Sequence, residues 1–213
     1  MKHASGAPSE PSPGALHGAP LKQALRHQFR NLRSCYPQSE LKKKAMDIHA
    51  RLETLEEYRH AHSILFYVSY NNEVDTVALI RRALAASKQV YVPFMKTDIF
   101  GKKRIELSLL RSLDELAPGA FGIHEPKKEC IRPVTLSKAE VILVPGVVFD
   151  ALGYRLGSGH GYYDRLLMHA HTTTIGLAYE FQVIDNISPE PHDIPLDIIA
   201  TETKILRIKP VKP

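Results

Sequence analysis

The sequence predicts an α/β domain built on parallel strands, and three observations carry that expectation. Between residues 62 and 94 a β-rich apolar run, a helically spaced run and a second β-rich run follow one another. This is the order of a βαβ unit, whose right-handed crossover makes the two strands parallel. The most apolar stretch, "AEVILVPGVVFD" (139–150), has the unbroken hydrophobicity of a strand buried on both faces. Directly after it comes "RLGSGHGYYDRLL" (155–167), in which three glycines at alternate positions lead into helical spacing.

Taken in chain order, residues 20–34 read as a helix, because Leu21, Leu25, Phe29 and Leu32 form one apolar stripe. Lys22, Arg26, Arg30 and Arg33 share the neighbouring face, and by spacing alone that face is a solvated one. Pro37 ends this helix, and a second begins near Ser39 with Leu41, Ala45, Ile48, Leu52 and Leu55 on its apolar side. Two helices in tandem cover one side of a sheet. "HSILFYVSY" (62–70) is the first strand, "TVALIRRALAAS" (76–87) a helix with Asp75 or Thr76 as its cap, and "QVYVPF" (89–94) the second strand. "KRIELSLL" (103–110) alternates weakly and reads as an added strand, and residues 111–135 read as irregular. Residues 139–150 form one strand that Pro145 ends or bends. A helix over 162–168 and strands over 172–180 and 201–208 complete the order, with no internal repeat.

With 213 residues and 44% apolar composition the chain suits one globular domain. The expected division is a disordered tail over 1–19, rich in Pro, Gly, Ser and Ala, and a domain over 20–213. The tail lacks the apolar core of a secretory signal, and no run approaches the roughly 18 apolar residues of a membrane span. Cys35 and Cys130 have no metal-type spacing, so reduced thiols and a cytoplasmic setting are expected. The net charge of +5 is uneven: residues 1–51 hold nine Lys/Arg against three Asp/Glu, and the remainder is nearly balanced. Such a basic end can meet a nucleic acid, a nucleoside triphosphate or only water. A nucleic-acid surface calls for interleaved aromatics, and only Phe29 and Tyr36 lie near the stripe.

A strand, then Gly157, Gly159 and Gly161, then a helix can present backbone N–H groups to an anion. The alternative is a tight turn at a strand end. Neither the Walker pattern nor the dinucleotide fingerprint is present. Asp164 is either an acid favoured in the first turn of a helix or a Mg²⁺ ligand beside phosphates. Arg155 is either an anion clamp or a salt-bridge partner within the loop. Tyr162 and Tyr163 either pack or hydrogen-bond a ligand. His169 and His171, two apart on a helix, do not face each other as a metal pair would.

"VPGVVFDALGYRLGSGHGYYDRLL" resembles the signature of the 5-formyltetrahydrofolate cyclo-ligase (5,10-methenyltetrahydrofolate synthetase) family over about 20 consecutive positions, and weaker similarity runs from about residue 20 to 205. The resemblance implies a three-layer α/β/α domain around a mainly parallel sheet. It implies a cytoplasmic enzyme that uses ATP and Mg²⁺ to convert 5-formyltetrahydrofolate into 5,10-methenyltetrahydrofolate. The partners implied are these small molecules, with no nucleic acid or membrane, and the expected state is a monomer. "KQALR" resembles the family's Lys-x-x-Leu-Arg, implying that Lys22 and Arg26 act with Arg155 on ATP phosphates. Gly157, Ser158, Gly159, His160, Gly161, Tyr162 and Tyr163 would line the nucleotide site. "FYVSYNNEVDT" (66–76) resembles the folate-contacting segment, implying roles for Val68 and for Glu73 on the pterin. "GAFGIHEP" implies that Phe121 stacks on the p-aminobenzoyl or pterin ring, and Tyr162 is a further expected folate contact. "PHDIPLDIIATET" implies that Asp197 joins Asp164 at Mg²⁺, with Asp193 as rival. Ser158 stands where some relatives carry Arg, and His160 where others carry Lys or Gly.

Overall fold

Residues 18–119 and 122–208 are described by the computed structural model. Most of the tail, and Phe121 with it, lies outside the described residues. Helix α1 spans Ala19–Cys35 and α2 spans Gln38–Leu52, separated by the expected break at Pro37. A short helix α3 (Glu56–His60) leads into strand β1 (Ser63–Leu65). Helix α4 (Val77–Ala85) then crosses to β2 (Gln89–Thr97), which pairs parallel with β1 as the βαβ reading requires. Strand β3 (Lys103–Leu110) returns antiparallel to β2. The stretch read as irregular contains a small hairpin, β4 (Leu116–Pro118) with β5 (His124–Pro126), and then β6 (Pro133–Val134), which closes the edge beside β3.

The apolar run 139–150 is two strands rather than one bent strand. Val141–Val144 (β7) lies in the main sheet, and Val148–Asp150 (β8) pairs in a separate three-stranded sheet with β9 (Arg155–Leu156) and β11 (Val183–Ile184). Pro145 cannot donate to the ladder, so the chain leaves the sheet there. Helix α5 is short, Tyr162–Leu167, and is followed by β10 (Thr173–Leu177). Ile198–Ala200 forms a strand, β12, that the sequence reading did not include, and Ile205–Arg207 (β13) pairs antiparallel with it. The main sheet runs β13-β12-β10-β7-β1-β2-β3-β6, parallel from β12 to β2 and antiparallel at both edges.

Alternate residues of the central strands feed two cores, which gives three layers. Ile64, Val141, Leu143, Ile175 and Ile198 pack with the inner faces of α2, α3 and α4. Leu65, Ile142, Val144 and Ile199 pack on the other side with Leu167 of α5 and with Phe149. Leu41, Ala45, Ile48 and Leu52 of α2 are all buried, and each large aliphatic among them stabilises by about 1.5–3 kcal/mol. Helix α1 sits elsewhere: its Phe29 packs with Val147, Val148, Leu156 and Ile187 over the small sheet.

The loop after β1 is fixed from within. Asn71 and Asn72 turn the chain through left-handed backbone conformations, which asparagine tolerates better than most residues. Buried Thr76 donates its hydroxyl to the Tyr67 carbonyl at 2.6 Å and accepts the Ser69 N–H at 3.0 Å. Thr76→Val removes both hydrogen bonds at nearly constant shape and leaves the Tyr67 carbonyl and Ser69 N–H without that partner. It should lower unfolding free energy by roughly 1–3 kcal/mol in a denaturant titration. An unchanged midpoint would show that the hydroxyl does not hold this loop.

Candidate active site

The order of the parallel strands reverses between β1 and β7, and ligands bind beyond the carboxyl ends of strands at such a switch point. A cleft of about 720 Å³ opens there. Tyr67 and Val68 after β1, and Pro145, Gly146 and Val147 after β7, line it. One side is basic, with Lys22, Arg26, Arg30 and Arg33 of α1. The other is largely apolar, with Phe94, Met95, Ile105 and Ile123 from the β2–β3 hairpin and its neighbour. The glycine stretch and the start of α5, residues 155–165, complete the rim.

The basic stripe is therefore not a solvated face. Lys22 and Arg33 are buried, whereas Leu32 of the expected apolar stripe is exposed. The helix was correctly read as amphipathic, but the small sheet beneath it takes Phe29 and the cleft takes the cations. Lys22 binds Asp193 at 2.6 Å and Glu190 at 3.1 Å. Burial alone would lower its pKa, but these two carboxylates overcome that and raise it. Asp193 is correspondingly held below the usual carboxylate range: its burial opposes this, but the Glu190 N–H and Lys22 outweigh it.

Arg26 donates to the Gly157 carbonyl and Arg30 to the Ser158 carbonyl, both at 3.0 Å, so α1 grips the glycine stretch. Gly159 and Gly161 have φ of +104° and +64°, a region open to glycine at little cost. Among the described residues, the N–H groups of Ser158, Gly159 and Gly161 donate to no protein acceptor. His160 stacks on Tyr162, whose ring also lies under the Arg165 guanidinium.

Arg155 is buried, with Asp164 at 3.1 Å, and its guanidinium lies over the Tyr163 ring. Burial lowers its pKa, and the Asp164 carboxylate opposes that shift. Among the described residues, Arg33 Nη1, Arg155 Nε and the Tyr163 hydroxyl are buried without a hydrogen-bond partner, and buried Asp164 Oδ1 has only its ion pair with Arg155. All four belong to residues that line this one cleft. Buried polar atoms are normally paired, so an unpaired set converging on one cavity marks a site built for a polar ligand.

Glu73 closes the far end. Its carboxylate accepts the Tyr70 N–H at 3.1 Å, and burial pushes its pKa up to about 7 against the opposing pull of Arg33. Val68, Tyr162 and Tyr163 lie in the same cleft.

Asp197 does not join them. It is buried beside β10, where its Oδ2 accepts the N–H and hydroxyl of Thr174 at 2.9 and 2.8 Å. That carboxylate secures the start of β12 and is not among the groups lining the cleft. The neighbouring Asp193 is, together with Glu190 and His192, and the three bring ligand atoms within 4.8 Å of one another. Asp193 therefore replaces Asp197 as the second candidate cation ligand. His169 and His171 are exposed and belong to no such cluster.

Sequence reasoning missed Arg33, Glu190 and Arg165 as cleft residues. Only the position of Arg33 on the basic stripe hinted at its place.

Comparisons with known proteins identify the family of the chain. The model of the 5-formyltetrahydrofolate cyclo-ligase family matches residues 19–202. The 5-formyltetrahydrofolate cyclo-ligase of Haemophilus influenzae is 32% identical over 180 residues, 82% of this chain and 94% of that protein. The enzyme of that name from Escherichia coli is 34% identical over 148 residues, 68% of this chain and 80% of its own. The solved structure of Aquifex aeolicus 5,10-methenyltetrahydrofolate synthetase superposes with a TM-score of 0.77 at 33% identity, covering 91% of this chain and 95% of that one.

Proposed function

The chain belongs to the 5-formyltetrahydrofolate cyclo-ligase family, and from that premise we propose that its cleft closes 5-formyltetrahydrofolate to 5,10-methenyltetrahydrofolate at the expense of ATP. One observation supports this reading above the others: the unpaired buried polar atoms converge on a cleft with a basic glycine-lined end and an acidic far end. The basic end suits a triphosphate, and Glu73 suits the donor edge of a pterin, since a carboxylate accepts two parallel N–H bonds.

An N-formyl oxygen is a poor leaving group. Transfer of the γ-phosphoryl group to it, with release of ADP, gives an iminium phosphate at N5. N10 then attacks the formyl carbon and loses its proton, the ring closes, and the carbon–oxygen bond breaks to release phosphate. The protein aligns the formyl oxygen with the γ-phosphate and stabilises charge on the group in transit. Arg26 and the free amides of the glycine stretch serve the phosphates. Lys22, held by Asp193 and Glu190 on the same wall, adds positive charge at that end. Gly157, His160, Tyr162 and Tyr163 frame the nucleotide, while Val68 and the apolar hairpin wall hold the folate.

The donor set fits Mg²⁺. Asp164 Oδ1 is a buried carboxylate oxygen balanced only by Arg155, and Asp193 offers a second hard oxygen ligand on the same cleft. When bound there, the ion would neutralise phosphate charge. The unpaired thiols Cys35 and Cys130 suit a reducing, cytoplasmic setting. Among the described residues no helix is long and apolar enough to cross a membrane.

The test is spectroscopic. Methenyltetrahydrofolate absorbs in the near ultraviolet, so the purified protein with 5-formyltetrahydrofolate, Mg²⁺ and ATP should give a rising absorbance that stops when ATP is omitted. Tight binding of both ligands with no absorbance change would identify a silent binding relative instead.

A further inference from the structure

Three of the four cations on the inner face of α1 are engaged. Lys22 holds Asp193 and Glu190, Arg26 holds the Gly157 carbonyl, and Arg30 holds the Ser158 carbonyl. Arg33 is different. It is 5% exposed, it lines the cleft, and its Nη1 finds no hydrogen-bond partner among the described residues. It lies at the Glu73 end: its electrostatic neighbours are Glu73, Tyr67 and Tyr179, and Arg30 repels it. Glu73 and Arg33 influence each other, yet no ion pair within 4.0 Å joins them. The Tyr67 and Tyr179 hydroxyls are turned to backbone, to Val74 and Glu73 carbonyls respectively, and do not neutralise the guanidinium. A charged donor has thus been buried beside an acceptor without being bonded to it. This is costly unless a ligand completes both.

The edge of a 2-amino-4-oxopteridine offers three groups in a row: the 2-amino donor, the N3–H donor and the 4-oxo acceptor. A carboxylate satisfies the two donors, and the acceptor then needs a fixed N–H beside that carboxylate. We propose that Arg33 is a specificity-determining residue that donates to the 4-oxo oxygen of the pteridine, selecting 4-oxo folates and rejecting 4-amino-4-deoxy analogues. This rests on the pterin reading of Glu73. In a 4-amino analogue the same edge reads donor, acceptor, donor. Its 4-amino hydrogens would meet the guanidinium, donor against donor, with both desolvated. Sites that hydrogen-bond a substrate group in a dry pocket discriminate strongly, because the mismatched ligand leaves buried polar groups unpaired.

The experiment measures, at pH 8, the affinities of wild type and Arg33→Gln for 5-formyltetrahydrofolate and for its 4-amino-4-deoxy counterpart. Melting temperature and ATP affinity serve as controls for folding. Wild type should prefer the 4-oxo compound by about 10²-fold. A glutamine side chain can turn either its oxygen or its nitrogen to the ligand, so Arg33→Gln should shrink that preference at least tenfold with ATP affinity unchanged. A folded Arg33→Gln that keeps the wild-type ratio overturns the proposal. So does a wild-type ratio within threefold of unity, which requires no variant to fold. Failure of wild type to bind either pteridine, with ATP still bound, would instead overturn the pterin reading itself.

Discussion

Asp164→Asn is expected to lower kcat by roughly 10²–10³-fold, the scale seen when one charge-stabilising group is removed from a reacting centre. Asparagine keeps the shape of the side chain and can still accept from Arg155, so the fold should persist. Asp164 has two candidate roles in this structure, both on one buried oxygen: its Oδ1 lies 3.1 Å from Arg155 Nη2, and the residue lines the cleft. The two are separable. If Asp164 holds the cation, the variant's half-saturating Mg²⁺ concentration rises at least tenfold. If it only balances Arg155, melting temperature falls while the Mg²⁺ dependence of the remaining activity stays as in wild type. The second pattern would remove Asp164 from the metal site.

Glu73→Ala should raise the KM for the folate about 10²-fold, since two charge-assisted hydrogen bonds are lost, and change the KM for ATP less than threefold. Equal losses for both substrates would count against a pterin role. The pH dependence gives a sharper signature. Burial holds the Glu73 pKa at about 7, above its ordinary value of 4.5. Two N–H donors require the ionised form. Affinity for the folate should therefore be full above pH 7 and fall by up to about tenfold per unit below it, and Glu73→Gln should flatten that profile. The stability linkage has the opposite sense. A carboxyl whose folded pKa is raised binds its proton more tightly in the native state, so its contribution is greatest below pH 4.5 and is lost as pH rises through 7. Glu73→Gln should accordingly gain melting temperature relative to wild type at pH 8 and none at pH 4. The charge proposed to serve binding is one the fold is better off without.

Much of the fold was legible because it is local. The βαβ unit, α2 with Leu41, Ala45, Ile48 and Leu52 inward, and the helix after the glycines are all set by period and by punctuation at Pro37, Pro145 and Gly161. The glycine stretch was legible as a turn whose backbone amides can face an anion, with a plain tight turn at a strand end as the alternative. The hairpin within 111–135 and the strand Ile198–Ala200 were not legible, because three-residue pairings carry too little pattern to be seen.

The sequence by itself determined which residues share a face and which residue types converge on the loop after β9. Those follow from backbone periodicity and the conformations glycine allows. Tertiary structure alone decided what each face meets. Spacing showed α1 to be amphipathic, but only docking on the small sheet turned Lys22 and Arg33 inward to the cleft. Asp193 and Asp197 are four residues apart in one acidic segment. The pairing of β12 with β10 gives Asp197 to Thr174 and leaves Asp193 to the cleft. Arg33 and Glu73 are 40 positions apart and carry no mutual signal in the chain. Their meeting depends on long-range packing, and in that packing lies the specificity proposed for the site.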